Sequence, residues 1–249
     1  MIQVENIYKK FGSNEILKNI SVRFEQGTNN LIIGSSGSGK TTLLKCIIGL
    51  HEPDSGQVLF NKRNFTQMNF RERVEVRKEI GMLFQNSALF DSMTVEENLL
   101  FPLNMFTDWS PKEKQKRVDF CLDRVNLSDK NKLFTSELSG GMKKRVGIAR
   151  AIVLQPKYLF CDEPNSGLDP QNAIMIDELI DEITNEYKMT TIVVTHDMNS
   201  VMGIGDHILF LYNGRNWWEG SNEEIIHTQN KELKNFVFAG KFMKKFIQS

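Results

Sequence analysis

The sequence contains few cysteines and no excess of charge of either sign. Its three cysteines, Cys46, Cys121 and Cys161, have the spacing of neither a disulfide framework nor a zinc site, which is typical of a protein from a reducing compartment. Lys plus Arg equals Asp plus Glu, 31 against 31, so the chain lacks the basic field that usually marks a nucleic-acid-binding protein. We therefore expect no nucleic-acid partner.

Long apolar segments are also missing. No apolar run approaches the roughly 18–20 residues that cross a bilayer as a helix. The start of the chain, Met-Ile-Gln-Val-Glu, lacks the basic residues and the apolar stretch of a signal peptide, so none is expected. If the protein works at a membrane, we expect another chain to span it.

Short apolar or β-branched runs alternate with helical patterns along most of the chain. This alternation predicts an α/β fold with a mostly parallel sheet at its core. Near the N-terminus only turns separate the runs, which predicts an antiparallel β layer beside that sheet. Between about residues 86 and 155 helical patterns dominate, which predicts a helical insert. The expected strands include Ile20–Phe24, Asn30–Ile33, Val58–Phe60, Ile80–Phe84, Tyr158–Cys161, Thr191–Thr195 and His207–Tyr212.

Two of the helices have recognisable first turns. Ser110-Pro111-Lys112-Glu113 is a capping box with proline at the first helical position, and Asp169-Pro170 begins a second helix. In that second helix apolar residues recur at helical spacing, which predicts one buried face. They are Ile176, Leu179, Ile180 and Ile183.

The most specific motif is G-x-x-x-x-G-K-[ST], which lies between the apolar run Leu31–Ile33 and the helical run Thr42–Ile48. In such a loop glycines turn backbone N–H groups towards phosphate, and the helix that follows adds the positive end of its dipole. Lys40 is expected to reach the β- and γ-phosphates, and the Thr41 hydroxyl to ligate Mg²⁺. The flanking strand and helix argue against a merely flexible turn. The candidate phosphate-binding residues are Gly34, Ser35, Ser36, Gly37, Ser38, Gly39, Lys40, Thr41 and Thr42.

Two adjacent carboxylates, Asp162 and Glu163, follow the apolar run Tyr158–Cys161. Because successive strand residues point to opposite faces, the two acids can serve different partners. We expect Asp162 to hold Mg²⁺ through its water shell and Glu163 to polarise the attacking water. The alternative is a solvated turn, and the phosphate loop elsewhere in the chain favours the catalytic interpretation.

A second glycine-rich helix start, Leu-Ser-Gly-Gly-Met, occupies residues 138–142 and cannot reach the same phosphates from the same side. Lying between the phosphate loop and the Asp-Glu strand, it resembles the signature motif of the ABC ATPase family. The resemblance covers about residues 1–220 and implies a P-loop NTPase of the ABC ATPase fold that binds ATP and Mg²⁺. It also implies a dimer in which Ser139, Gly140 and Gly141 of one subunit close on the γ-phosphate held by the other.

Further residues match the family pattern one at a time. Gln85 resembles the Q-loop glutamine, which contacts Mg²⁺ and the attacking water. His196 resembles the switch histidine that bonds the γ-phosphate, and residues 166–169 resemble the D-loop at the dimer seam. Phe11 lies where the family keeps an aromatic that stacks on adenine, with Tyr8 as the nearby competitor.

Two local features of the sequence narrow the choice of transporter within the family. Met142 replaces the glutamine that usually follows Leu-Ser-Gly-Gly, and the segment Phe84–Leu103 has a distinctive sequence. Both resemble the ATPase of the maintenance-of-lipid-asymmetry transporter and its mammalian-cell-entry relatives. The resemblance implies phospholipid transport, a membrane-spanning permease partner, a subunit with a mammalian-cell-entry domain, and a place on the cytoplasmic face of the inner membrane. Leu89 or Phe90 is expected to contact the permease.

Three alternatives remain open at this stage. The first is the ATPase of an amino-acid or methionine importer, because such ATPases share much of the sequence of the segment Phe84–Leu103. A non-transport ABC protein acting on ribosomes or DNA usually has two cassettes or a long coiled-coil insertion, and neither is visible here. A regulatory module without turnover is disfavoured by the presence of Glu163 and His196.

Residues 221–249 are predicted to form a C-terminal helical extension. Its candidate apolar contacts are Leu233, Phe236, Val237, Phe242 and Phe246. Five lysines surround these residues and are interpreted as a solvated face. By the same resemblance, the extension is expected to reach a partner subunit.

Overall fold

The first two strands form an antiparallel hairpin that turns at Gly12, whose φ is 59°. Ile2, Val4 and Ile7 are buried on one face of the first strand, although its register shifts along the pair. The computed structural model describes residues 1–238 of the chain. Within them this hairpin belongs to a four-stranded antiparallel sheet of order β2-β1-β4-β5, as predicted for the N-terminal layer.

The helices and strands follow each other in α/β alternation. The strands are β1 (Ile2–Phe11), β2 (Asn14–Phe24), β3 (Thr28–Ile33), β4 (Ser55–Phe60), β5 (Arg63–Asn64), β6 (Ile80–Leu83), β7 (Tyr158–Asp162), β8 (Thr190–Val194), β9 (His207–Tyr212) and β10 (Arg215–Gly220). The helices are α1 (Lys40–Ile47), α2 (Phe70–Lys78), α3 (Val95–Phe106), α4 (Pro111–Arg124), α5 (Gly140–Ile152), α6 (Pro170–Tyr187), α7 (Met198–Ile204), α8 (Asn222–Ile226) and α9 (Lys231–Val237).

The second sheet has six strands in the order β10-β9-β3-β8-β7-β6. Every pair in it is parallel except β9 with β10, so the mostly parallel core is confirmed. The sequence reading did not identify β1, β5 or β10 as strands. Because the strands β3, β7 and β8 run in the same direction, their carboxyl ends meet at one edge, where ligands bind in open α/β sheets.

Both faces of this sheet are buried, and the side chains on each face belong to a separate hydrophobic core. Along β7, Leu159 and Cys161 face the larger core, which includes the helical insert, whereas Tyr158 and Phe160 face the core shared with α1 and the antiparallel sheet. Burying a large apolar side chain contributes roughly 1.5–3 kcal/mol. Two-sided burial explains why the strand appears in the sequence as a continuous apolar run.

The predicted helix starts are confirmed. Ser110 caps α4 with the expected capping box and Pro111 at the first turn, and Asp169 caps α6. The four apolar residues predicted for the inner face of α6 are all buried. In the insert, α5 packs closely on β6, where a Cβ at Gly81 would lie 2.4 Å from the carbonyl oxygen of Ala151.

The described part of the C-terminal segment packs against the rest of the chain. Ile225 of α8 and Leu233 and Val237 of α9 are buried in the larger core, and Phe236 lies with its ring centroid 5.5 Å from that of Phe210. The predicted contacts Phe242 and Phe246 lie outside the described residues. None of the helices within residues 1–238 combines the length and apolar character needed to span a membrane.

Candidate functional site

The phosphate loop lies at the carboxyl edge of β3, where two glycines allow tight turns. Gly34 has φ 149°, and a Cβ there would lie 2.4 Å from the Leu211 carbonyl oxygen and 2.7 Å from Ser38 Oγ. Gly39 caps α1 in the left-handed region, with φ 106°. Since a side chain at Gly34 would meet backbone, the loop holds this shape only with glycine at that position.

Lys40 is buried beneath the loop, with 7% of its surface exposed. Its Nζ donates hydrogen bonds to the carbonyl oxygens of Gly34 (2.8 Å) and Ser35 (3.1 Å). Burial lowers the Lys40 pKa, and the charges of Glu163 and Asp162 act in the opposite direction. Ser38 Oγ is buried without a hydrogen-bond partner among the described residues. A buried ammonium and an unsatisfied hydroxyl under one loop fit the binding of a phosphate chain.

A cavity of about 1000 Å³ opens over this loop. That volume is at the upper end of typical ligand pockets and is sufficient for a nucleotide. The cavity is lined by Ile16, Ser35, Ser36, Gly37, Gly39, Lys40, Thr41, Thr42, Gln85, Glu163, His196, Asn235 and Phe236. The fold therefore brings most of the predicted phosphate-loop residues together with Gln85, Glu163 and His196.

The oxygen ligands expected for Mg²⁺ lie at one side of the loop. Thr41 Oγ1 donates to Asp162 Oδ1 at 3.3 Å. Burial raises the Asp162 pKa, while its hydrogen bond from Thr41 lowers it. Residues 1–238 contain no cluster of three His, Cys, Asp or Glu side chains that would enclose a metal. A hydroxyl, a carboxylate and the amide of Gln85 are the sparse oxygen set that suits Mg²⁺ when phosphates supply further ligands.

The backbone geometry at Glu163 differs from the prediction. β7 ends at Asp162, and Glu163 has φ 48°, so strand alternation does not separate the two carboxylates. A left-handed turn separates them instead, with the Glu163 N–H donating to the Val194 carbonyl oxygen at 2.8 Å. This turn brings Glu163 Oε1 within 3.0 Å of His196 Nδ1.

The backbone around Gln85 is held by side chains of α5. Ser87 and Ala88 both have positive φ values, 58° and 47°. Arg150 donates to the carbonyl oxygens of Ser87 (2.7 Å) and Ala88 (2.8 Å), and Lys144 donates to the carbonyl oxygens of Gln85 and Glu163. Lys144 therefore connects two cavity-lining segments, which the sequence reading did not anticipate.

The predicted signature residues are not among the described residues that line this cavity. Ser139 caps α5, and its Oγ accepts from the Met142 N–H at 3.3 Å. Ser139 and Gly140 are exposed, and within residues 1–238 neither lines the cavity. Gly141 is buried, and a Cβ there would lie 3.0 Å from Asn172 Oδ1. An exposed helix start of this kind is available to a second chain.

Phe11 is not among the described residues that line the cavity. It is 47% exposed and packs edge-on against His51, with ring centroids 5.3 Å apart. Tyr8 is similarly exposed. Ile16, Asn235 and Phe236 line the cavity instead, and sequence reasoning missed the first two. Phe236 had been identified only as an apolar contact of the tail.

Asn165 connects the segment after Glu163 to two helices. Its Nδ2 donates to Asp177 Oδ1 (2.8 Å) and to Ser200 Oγ (3.0 Å), and all three residues are buried. Burial raises the Asp177 pKa to about 6. No motif in the sequence predicts this buried network.

Comparisons with known proteins agree with the fold and the phosphate-loop site described above. Residues 17–166 match the protein-family model described as ABC transporter. The chain is 39% identical to the methionine import ATP-binding protein of Clostridioides difficile over 95% of its length and 74% of that protein. It is 36% identical to the intermembrane phospholipid transport ATP-binding protein of Haemophilus influenzae over 95% of its length and 90% of that protein. The dimeric, post-hydrolysis structure of the ATP-binding cassette MJ0796 with ADP and phosphate superimposes with a TM-score of 0.81, at 31% identity over 89% of this chain and 99% of that one.

Proposed function

The chain belongs to the ABC transporter family, and on this premise we propose that its hydrolysis of ATP powers phospholipid transport between membranes of the cell envelope. It is the ATPase subunit of a transporter and uses ATP with Mg²⁺. Cassettes of this family form dimers and pair with membrane permease subunits. In our proposal the subunit works at the cytoplasmic face of the inner membrane, beside a lipid-binding subunit with a mammalian-cell-entry domain.

We assign the chemistry to the side chains that meet at the cavity. Glu163 polarises the attacking water, and its bond to His196 keeps the carboxylate in place. Lys40 and the backbone N–H groups of the phosphate loop bind and orient the phosphates. Thr41, Asp162 and Gln85 would hold Mg²⁺, which would supply charge neutralisation for the phosphates. His196 and the partner's signature motif complete the site around the γ-phosphate.

An apolar surface on the insert supports contact with a permease. Asn98 is buried and bonds the backbone of Phe90 twice, accepting from its N–H (2.9 Å) and donating to its carbonyl oxygen (3.2 Å). The Phe90 ring remains 40% exposed and lies 4.8 Å from that of Phe101. Met105, Phe106 and Trp109 are also exposed on the same insert. Exposed aromatic residues in such number are typical of a protein–protein contact.

The phospholipid cargo rests on one observation, the resemblance of Met142 and the segment Phe84–Leu103 to the lipid-transport ATPases. The similarity to the phospholipid transport protein of Haemophilus influenzae is consistent with it. Met142 is half-buried against the larger core, so its direct role is in packing at the start of α5.

Amino-acid import is the second candidate. The 39% identity to a methionine import ATP-binding protein favours it over other small-molecule cargoes. The two candidates predict different companions for the same ATPase: a mammalian-cell-entry subunit with lipid, or a soluble amino-acid-binding protein.

Purification of the membrane complex through this subunit distinguishes them. We expect co-purifying phospholipid, detected by mass spectrometry, and a subunit with a mammalian-cell-entry domain. A complex that contains an amino-acid-binding protein and no phospholipid would refute the lipid assignment and leave the ATPase assignment intact.

Replacement of Phe90 tests the permease contact. Phe90→Asp should abolish assembly with the permease, because an unpaired charge would be buried at the interface. The free subunit should keep its melting temperature, since the ring is exposed. Phe70→Asp, at a residue that is 75% exposed outside the insert, is the matched control and should assemble normally. Normal assembly of Phe90→Asp would contradict the assigned surface. Leu89 is less suitable because it packs against the larger core.

A further inference from the structure

A buried lysine of α5 connects two segments that line the nucleotide cavity. Lys144 is only 5% exposed, although its side chain ends in an ammonium group. Its Nζ donates hydrogen bonds to the carbonyl oxygens of Gln85 and Glu163, the second at 3.3 Å. Within residues 1–238 the ammonium has no other acceptor, and Lys144 is not among the described residues that line the cavity. An effect of Lys144 on the nucleotide site therefore has to pass through these two residues.

Stability alone does not explain a cation at this position. Burial lowers the pKa of Lys144, whereas the nearby carboxylates of Glu163 and Asp162 favour its charged form. Because an ion loses its hydration when it is buried, an apolar residue of similar volume in place of a buried ion is often neutral or stabilising. A methionine has a similar shape but cannot donate to two carbonyl oxygens. The ammonium therefore adds a fixed contact between the two segments.

The contact with Glu163 holds a residue whose backbone is in the left-handed region. Glu163 has φ 48°, and its N–H donates to the Val194 carbonyl oxygen at 2.8 Å. The Glu163 carbonyl oxygen accepts from Lys144 and also from the Ser166 N–H, the latter at 3.2 Å. Because the backbone conformation of a residue sets the direction of its side chain, these bonds orient the carboxylate.

The contact with Gln85 holds a turn. Gln85 is exposed and follows the end of β6. Its carbonyl oxygen accepts no hydrogen bond from residues 1–238 other than that from Lys144. The next part of the turn is held by the same helix, because Arg150 donates to the carbonyl oxygens of Ser87 and Ala88. The helix α5 therefore places the Gln85 backbone relative to that of Glu163.

We propose that Lys144 is a positioning residue for ATP hydrolysis, which keeps the Glu163 carboxylate and the Gln85 amide in place relative to each other. This role rests on those proposed above for Glu163 and Gln85. Lys144 holds the backbones from which the two side chains project. ATP binding depends on Lys40 and the phosphate loop, to which Lys144 makes no hydrogen bond within residues 1–238. Loss of the ammonium should therefore slow turnover and spare binding.

Lys144→Met in the full chain tests this role. Its kcat should fall by about 10–100-fold, because a small misplacement of catalytic groups has an effect of that size. The KM and the equilibrium Kd for ATP should stay within about twofold of the parent values. The melting temperature should not fall, because an apolar residue replaces a buried ion. Lys144→Arg should restore most of kcat, since a guanidinium can donate to both carbonyl oxygens.

Lys143→Met removes the preceding lysine of α5, which bonds neither carbonyl oxygen, and is the matched control with parent-like hydrolysis. Parent-like kcat in Lys144→Met, or equal kcat in Lys144→Met and Lys144→Arg, would overturn the role of Lys144. A fall in kcat together with a lower melting temperature and weaker ATP binding would also overturn it, because that result indicates a structural role. Glu163→Gln is measured beside these variants. Near-normal hydrolysis by Glu163→Gln would refute the assignment of Glu163 and this role with it, whereas the other outcomes leave that assignment intact.

Discussion

Glu163 shows how the backbone of one residue shapes the site. A non-glycine residue with φ 48° is held in a sparsely populated conformation, which costs on the order of 1–3 kcal/mol unless its surroundings enforce it. Here the Glu163 N–H bonds β8 and the carboxylate bonds His196. The strained turn therefore fixes the carboxylate beside the phosphate loop before any nucleotide is bound.

Replacement of this carboxylate should separate binding from turnover. Glu163→Gln is expected to bind ATP with near-normal affinity and to lose turnover by about 10²–10⁴-fold, because the amide keeps the shape but cannot polarise water as a carboxylate does. Lys40→Ala is the contrasting variant and should lose ATP affinity itself. Steady-state hydrolysis and equilibrium nucleotide binding measure the two effects. Near-normal hydrolysis by Glu163→Gln would refute the assignment.

At the scale of elements, the Asn165–Asp177–Ser200 network joins the loop after β7 to α6 and α7. The helix α7 begins two residues after His196, so the network lies behind both the Glu163 turn and the histidine. Its geometry depends on a carboxyl whose pKa burial raises to about 6. The protonation of Asp177 should therefore change the free energy of unfolding as the pH changes.

Asp177→Asn tests this network through pH. Because the folded pKa is about 6 and the unfolded value is near 4, the folded state binds more protons between these pH values. The contribution of Asp177 to stability is therefore greatest below about pH 4 and declines as the pH rises through 6. Asparagine keeps the oxygen that accepts from Asn165 and does not titrate.

The free energy of unfolding of Asp177→Asn, relative to the parent chain, should thus rise by about 1–3 kcal/mol between pH 4 and pH 7. Urea denaturation at a series of pH values measures the difference. Parallel pH profiles for the two proteins would contradict the raised pKa. Glu182→Gln, which removes an exposed carboxyl from the same helix, is the matched control and should show no comparable rise.

At the scale of the whole molecule, one chain contributes to two ATP sites: its phosphate loop belongs to one site and its signature residues to another. Its phosphate loop lines the cavity, while Ser139 and Gly140 are exposed elsewhere on the surface. A second chain that places its own signature residues on the bound nucleotide would complete the site. Association should then depend on the nucleotide, because the γ-phosphate contributes contacts to both chains.

We expect the isolated subunit to be largely monomeric without nucleotide and Glu163→Gln to dimerise when ATP is added. Adding Ser139→Arg to that variant should block the dimer and leave ATP binding intact, whereas Ser136→Arg, at an exposed residue three positions earlier, should not. Sedimentation velocity with and without ATP measures both. A sedimentation coefficient that ATP does not change would argue against the shared site.

The sequence by itself determined the features that depend on neighbours along the chain. The phosphate loop, the apolar strand before Asp162 and the caps of α4 and α6 each combine fixed spacing with local backbone chemistry, so a few adjacent residues are enough to predict them. The two-sided burial of the central strands is likewise visible as continuous apolar runs. These features were enough to predict the α/β fold, the helical insert and most of the residues that meet at the nucleotide cavity.

Only the tertiary structure decided which distant residues share a surface. Ile16 and Asn235 reach the nucleotide cavity because β2 and α9 pack beside the phosphate loop, and neither residue carries a local signal of that contact. The left-handed turn at Glu163 depends on its bond to β8. Such contacts arise from the packing of elements far apart in sequence, where the conformation of each residue depends on partners that its own neighbours do not specify.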